Sequence, residues 1–269
     1  MSDQRPTSAS GMPGSSWSGP PLSPILRPGA PDVELEPEQK RVMLVAAHPD
    51  DPEFSSAGTV TNWVRHGIEV VFVLVTSGDK GTPDRDMTGH RLSSMREQEQ
   101  LAAAARVGVT KVEFLRFPDG ELVPNLVLRG AITRMIRTHK PYAVITHDPI
   151  TLFHGNEVIN HPDHRAVGQA TVDAIYPTAR DPLQFNEQIR EGLEPHKVKE
   201  LYLWGSEQSN VLVDITDVME DKIEALKCHK SQVGEAVELA ERIKQRAAMI
   251  GEPFGVQYAE AFRRIVMRI

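Results

Sequence analysis

The chain of 269 residues contains one cysteine, Cys228. A single thiol cannot close an internal disulfide, and no cysteine-rich structural zinc site can be built around it. Cys228 lies in a segment with helical apolar spacing, so it reads as a half-buried structural thiol and not as a nucleophile. No run approaches the roughly 20 apolar residues that span a bilayer, and the first 37 residues hold no apolar core suited to a secretory leader. A reducing, cytoplasmic setting without a membrane partner is therefore expected. Positive charge is scarce as well: 30 Lys and Arg stand against 37 Asp and Glu, a formal net charge of −7. That balance argues against nucleic acid as a partner, because such binding draws on phosphate neutralisation. No internal repeat is found.

Hydrophobic residues at 40% and charged residues at 25% are ordinary for a globular protein. Residues 1–38, rich in Ser, Pro and Gly, hold too few core-forming side chains to offset their own ordering entropy. They are expected to form a flexible arm; laid across a neighbouring subunit instead, they would use Trp17, Ile25 and Leu26 as anchors. Residues 39–269 suffice for one large α/β domain. Within it, apolar runs alternate with helical patterns. Val42–Ala47, Glu69–Val75, Lys111–Phe117, Tyr142–Thr146, Lys199–Trp204 and Asn210–Val213 read as strands. Helices are expected at about 55–66, 92–107, 125–138 and from His161, and again around Met219, Ile223 and Leu226 with Thr216 or Asp217 as cap. Residues 147–160 read as irregular, 177–195 as a loop with one short helix, and 233–269 as mostly helical around a break at Gly251-Glu-Pro253. Strands spaced by helices in this way predict a Rossmann-like three-layer α/β fold with a mainly parallel sheet flanked by helices.

The first strand ends in His48-Pro-Asp-Asp51, with Glu53 close behind. A buried parallel strand delivers such residues to the carboxyl edge of the sheet, where open α/β folds bind their ligands. A second cluster, His161-Pro-Asp-His164, follows the fourth strand. Taken alone it is an ordinary capped helix start, with Asp163 near the positive end of the helix dipole. Two such clusters at converging strand ends point to a divalent metal. His48, Asp51 and His164 would form a His/Asp/His site with a position open for water, as a catalytic zinc requires, and Fe(II) or Mn(II) would suit the same donors.

Ala47-His-Pro-Asp-Asp51 with Glu53, together with His161-Pro-Asp-His-Arg-Ala-Val-Gly168, resembles the PIG-L (LmbE-like) family of metal-dependent N-deacetylases. The likeness runs from about Arg41 to the C-terminus and extends to Thr76-Ser-Gly-Asp79, Arg96-Glu-Gln-Glu99 and Pro118-Asp-Gly120. It implies a hydrolase that removes an acyl group, acetyl above all, from an N-acylated amino sugar or its conjugate, with a small-molecule partner, Zn2+ (or Fe2+) as cofactor and a homo-oligomeric assembly. His48, Asp51 and His164 match the metal ligands and Asp50 the general base. His161 matches the histidine that stabilises the oxyanion as imidazolium, and Asp163 the carboxylate that orients it. Arg96 and Asp119 match substrate contacts, with Ser77 and Asp79 lining the cleft. Without the resemblance, Arg96 reads as an exposed helical residue paired with Glu99 or Gln100. Glu53 is expected to orient a metal ligand or cap the first helix, and His229 to serve packing or subunit contact. His90, His139, His154 and His196 read as surface or loop histidines. The alternatives are an amidase acting on a thiol S-conjugate and, in a different class, a nucleotide-binding module. The latter lacks the Gly-x-Gly-x-x-Gly turn and would set a phosphate against carboxylates.

Overall fold

A computed structural model of the chain describes residues 40–233 and 237–268; the expected N-terminal arm and its Trp17, Ile25 and Leu26 lie outside them. In chain order the elements are β1 (Arg41–Ala46), α1 (Asp51–Arg65), β2 (Glu69–Thr76), α2 (Gly89–Arg106), β3 (Lys111–Phe117), α3 (Leu126–His139) and β4 (Ala143–His147). A two-residue pair follows, β5 (Phe153–His154) and β6 (Val158–Ile159), and then α4 (Pro162–Ile175), α5 (Asn186–Arg190), β7 (Glu200–Trp204) and β8 (Val211–Asp214). The chain closes with α6 (Met219–Leu226), α7 (Lys230–Val233), α8 (Val237–Gly251) and β9 (Ala259–Val266).

Seven strands form one sheet in the order β3-β2-β1-β4-β7-β9-β8. The first five are parallel, with β1 between β2 and β4. Successive residues of the central strands serve opposite faces, as a pleated strand buried on both sides demands. Val42, Leu44, Val70 and Phe72 pack with α1, α2, α6 and α8 on one side. Met43, Val45, Val71 and Val73 pack with α3 and α4 on the other. The result is the expected three-layer fold.

The C-terminal stretch differs from its expectation. Ala-Glu-Ala-Phe-Arg-Arg-Ile-Val suits a helix by composition, yet it forms β9, antiparallel to both β7 and β8. The slot between two strands satisfies its backbone on both edges, and tertiary pairing overrides a weak local preference. Its charges are paired: Glu260 with buried Lys222 at 2.7 Å, and Arg264 with Glu200 at 2.6 Å. The cap before α6 also differs: the N-cap positions are Ile215 for the 3-10 turn and Val218 for α6, neither with a side-chain cap, while Asp214 Oδ1 accepts the Thr216 N–H at 3.0 Å. His139, expected at the surface, is buried in the last turn of α3.

The sequence order reverses between β1 and β4, so the connections that leave their carboxyl ends run to opposite faces of the sheet and a crevice forms between them. Both histidine motifs open onto this edge.

Candidate metal and catalytic site

The segment after β1 turns abruptly. Helix α1 begins at Asp51, four residues earlier than its apolar pattern suggests, with Pro52 in the first turn where its missing N–H costs nothing. Asp50 is the N-cap and has φ 98°, in the left-handed region that side chains other than Gly, Asn and Asp rarely enter. The turn folds Asp51 back so that its Oδ2 accepts the His48 N–H at 2.8 Å.

His48 lies buried among three carboxylates. Its Nε2 is 3.0 Å from Asp119 Oδ1 and 3.3 Å from Asp163 Oδ2, and its Nδ1 is 3.5 Å from Asp51 Oδ2. Burial works against charge on the ring, but Asp119, Asp163 and Asp51 outweigh it and push the pKa up to about 12. Asp51 Oδ1 in turn meets His164 Nε2 at 3.1 Å. Burial opposes its ionisation, and the adjacent His164 holds it well below the usual carboxylate range. The Asp163 carboxylate receives the N–H groups of Gly120 at 2.7 Å and Leu122 at 3.2 Å besides contacting His48.

Asp163 thus differs from its expected part: the carboxylate turns to His48, and its backbone N–H, not its side chain, meets His161, donating to Nδ1 at 3.2 Å. Burial, with His48 and His164 nearby, pushes the His161 pKa down, a direction opposite to the one that favours the expected imidazolium. Because Nδ1 accepts a hydrogen bond, the ring proton is assigned to Nε2.

Burial and repulsion from Asp51 raise the Asp50 pKa to about 7, against the opposing pull of Arg96 and His229. Arg96 is only 4% exposed. Its Nη2 donates to Pro49 O at 2.7 Å and lies 3.5 Å from Asp50 Oδ2, while Glu99 turns away to Ser231. Gly78 makes room for it: a Cβ there would stand 2.4 Å from the guanidinium. The Arg96 Nε is buried without a hydrogen-bond partner among the described residues. Ser77 donates to Glu97 at 2.6 Å and lines, with Asp79 and Arg116, a cavity of about 430 Å³. Asp119, expected at a sugar, rests against His48, and its N–H donates to Asp79 Oδ1 at 2.9 Å.

One residue escaped the sequence reading. His147, the last residue of β4, lies 3.4 Å from Asp51 Oδ2 and stacks on His164 with centroids 4.2 Å apart. Its signal was its place at the end of an apolar strand beside β1. Burial first, and then His164, push its pKa down to about 3, and the neutral Nε2 accepts the Ala47 N–H at 3.1 Å. A second cavity, about 190 Å³, reaches Asp51 and His164 between Phe54, Trp204 and Ile243.

Among the described residues, three donor sets lie within 4.8 Å: His48, His161 and His164; Asp51, His147 and His164; and His48, Asp119 and Asp163. Ligands about a tetrahedral cation with bonds of about 2.0–2.1 Å stand roughly 3.3 Å apart. The expected set of His48, Asp51 and His164 is not one of the three donor sets, but it is linked pairwise at about that spacing through different Asp51 oxygens, Oδ1 to His164 at 3.1 Å and Oδ2 to His48 at 3.5 Å. With Nε2 of His48 facing Asp119 and Asp163, its Nδ1 remains for a cation, and carboxylates behind the ring raise its basicity. The donors fit a divalent metal.

Comparison with known proteins agrees with this geometry. The family model PIG-L, described as GlcNAc-PI de-N-acetylase, matches residues 43–175. A diacetylchitobiose deacetylase of Thermococcus kodakarensis is 35% identical over 83% of this chain and 82% of its own. A 1D-myo-inositol 2-acetamido-2-deoxy-alpha-D-glucopyranoside deacetylase of Mycobacteroides abscessus is 25% identical over 72% and 82%. The solved N,N'-diacetylchitobiose deacetylase of Pyrococcus horikoshii superposes with a TM-score of 0.79 at 31% identity, covering 84% of each chain. The two histidine motifs, the crevice they share and these likenesses converge, and the chain belongs to the PIG-L family of deacetylases.

Proposed function

We propose that this chain is a zinc-dependent N-deacetylase that hydrolyses the acetamido group of an N-acetylated amino sugar or its small conjugate. The observation that carries the reading is the pairing of Asp50, with a pKa of about 7, with the adjoining donor set of His48, Asp51 and His164. A bound cation would supply Lewis acidity, polarising the amide carbonyl and the attacking water.

The remaining work falls to side chains. Asp50, as carboxylate, takes a proton from the attacking water; a base poised near neutrality is well matched to that task. Protonated, it returns the proton to the departing amine, so that one residue serves as base and then acid. Arg96 holds Asp50 in place through Pro49 O and its 3.5 Å contact. His161, neutral, presents Nε2–H to the oxygen that becomes negative, and a hydrogen bond that strengthens as charge develops favours the transition state over the substrate. Asp119 and Asp163 keep the His48 ring oriented. The names of the relatives support the substrate class, since each is called a deacetylase of an acetylated glucosamine derivative.

Acetate release from N,N'-diacetylchitobiose and from N-acetylglucosaminyl-inositol by zinc-loaded protein tests the reading, with metal content measured alongside. Asp50→Asn should bind zinc and lose acetate release by about 10²-fold or more. Undiminished hydrolysis by that variant, or wild-type protein that takes up no divalent metal, would refute it.

A further inference from the structure

Behind the site runs a chain of three side chains, each 0% exposed, that no step above uses: Gln100, Glu53 and His229. We propose that they act as positioning residues for catalysis, holding Asp50 in its left-handed backbone conformation; this rests on the deacetylase reading given above.

The contacts are directional. The Asp50 N–H donates to Gln100 Oε1 at 3.1 Å, Gln100 Nε2 donates to Glu53 Oε1 at 2.9 Å, and Glu53 Oε2 meets His229 Nε2 at 3.0 Å. A carboxylate only accepts hydrogen bonds. Glu53 therefore decides which way the Gln100 amide faces: its NH2 must point to Glu53, and its oxygen is left for Asp50. Were the amide reversed, two donors would confront each other at Asp50 and two acceptors at Glu53. His229 fixes Glu53 in turn, and Glu53 is its one ring hydrogen-bond partner among the described residues, since Nδ1 has none.

The chain ends on a strained peptide. A non-glycine residue at φ 98° is strained and persists where its surroundings over-determine it. Rotation of the Asp50 peptide would carry the Asp50 carboxylate with it, so the amide that anchors this N–H sets where the base points, while Asp51 keeps its own contacts with the His48 N–H and His164. The three residues come from α1, α2 and the turn after α6, which makes the arrangement a property of the assembled fold.

Steady-state kinetics on N,N'-diacetylchitobiose, zinc content and thermal melting of Gln100→Ala, His229→Ala and His229→Gln test the proposal. Both alanine variants should lose kcat by about 10–100-fold, with KM and bound zinc close to wild type. His229→Gln, which keeps a donor for Glu53, should restore most of the kcat. Gln100→Leu keeps much of the volume but offers Asp50 no acceptor and Glu53 no donor, and should lose kcat like Gln100→Ala; it stands in if the alanine variant does not melt cooperatively. Wild-type kcat in either folded Gln100 variant would overturn the proposal, as would a kcat loss matched by lost zinc. A wild-type enzyme that released no acetate would instead fail the deacetylase reading itself.

Discussion

A single methyl group added at Gly168 should damage the site by pressing on the backbone beside it. In α4, Gly168 stands one turn beyond His164, and a Cβ there would lie 2.5 Å from His147 O, 3.1 Å from Pro149 N and 3.2 Å from His147 C. All three are backbone atoms at the end of β4, a central strand, and they cannot swing aside as a flexible side chain would. A carbon-to-oxygen approach closer than about 3.3 Å is rare, so α4 must retreat by about 0.8 Å. His164 rides on that helix, and its 3.1 Å spacing from Asp51 Oδ1 and its stack on His147 would open together. Overpacking of this kind costs about 1–3 kcal/mol of stability, and a displacement approaching 1 Å at a reacting centre costs up to about 10²-fold in rate. Gly168→Ala is therefore expected to melt lower, to bind zinc more weakly and to lose kcat/KM by about 10–100-fold. Zinc titration followed by calorimetry, with acetate release measured at saturating metal, separates the ligand effect from the rate effect. A variant with unchanged melting and kcat/KM within about twofold of wild type would show that α4 absorbs the methyl without moving, and the reasoning would fail.

Two further outcomes follow from buried charge. Lys222→Met should destabilise the protein by about 3 kcal/mol, the lower end for breaking a buried pair, because Glu260 would keep three donors from Gly58 and Thr59; a melting temperature within 2 °C of wild type (roughly 1 kcal/mol or less for a chain of this size) would contradict this. The pH profile of kcat/KM should have an acidic limb at or below about pH 7: Asp50 acts as a base only when ionised, its raised pKa sets the upper bound, and a cation bound nearby lowers it. Activity should thus rise with pH through that limb, and an acidic limb centred well above about pH 7 would remove Asp50 from the role of base.

How much of this was legible in the sequence depends on how local each determinant is. The central strands carry their signal in consecutive residues, since Val42–Ala47 and Val70–Val75 are buried on both faces and must be apolar throughout. The two histidine motifs are also local, and they announced the donor cluster. β9 was not legible, because Ala259–Val266 owes its strand to a slot between β7 and β8 that exists only once the sheet has assembled. Arg96 looked like an exposed helical residue because nothing near it in sequence shows that Pro49 O and Asp50 await it 47 and 46 positions earlier.

The same distinction explains why the active-site motif does not suffice to build the site. His48-Pro-Asp-Asp51 specifies which side chains are present, but the φ of 98° at Asp50 that aims them is unfavourable for the segment by itself. What holds that conformation comes from afar: Gln100 on α2 and, through Glu53, His229, which is 176 residues from Glu53. The ligand spacing is likewise set at a distance, by the close approach of α4 to β4 that Gly168 permits. A chain bearing the two motifs without these supports would keep the donors and lose their aim. Its expected signature is a protein that still binds metal but turns over slowly, which is why metal content and kcat must be read together in every variant of this site.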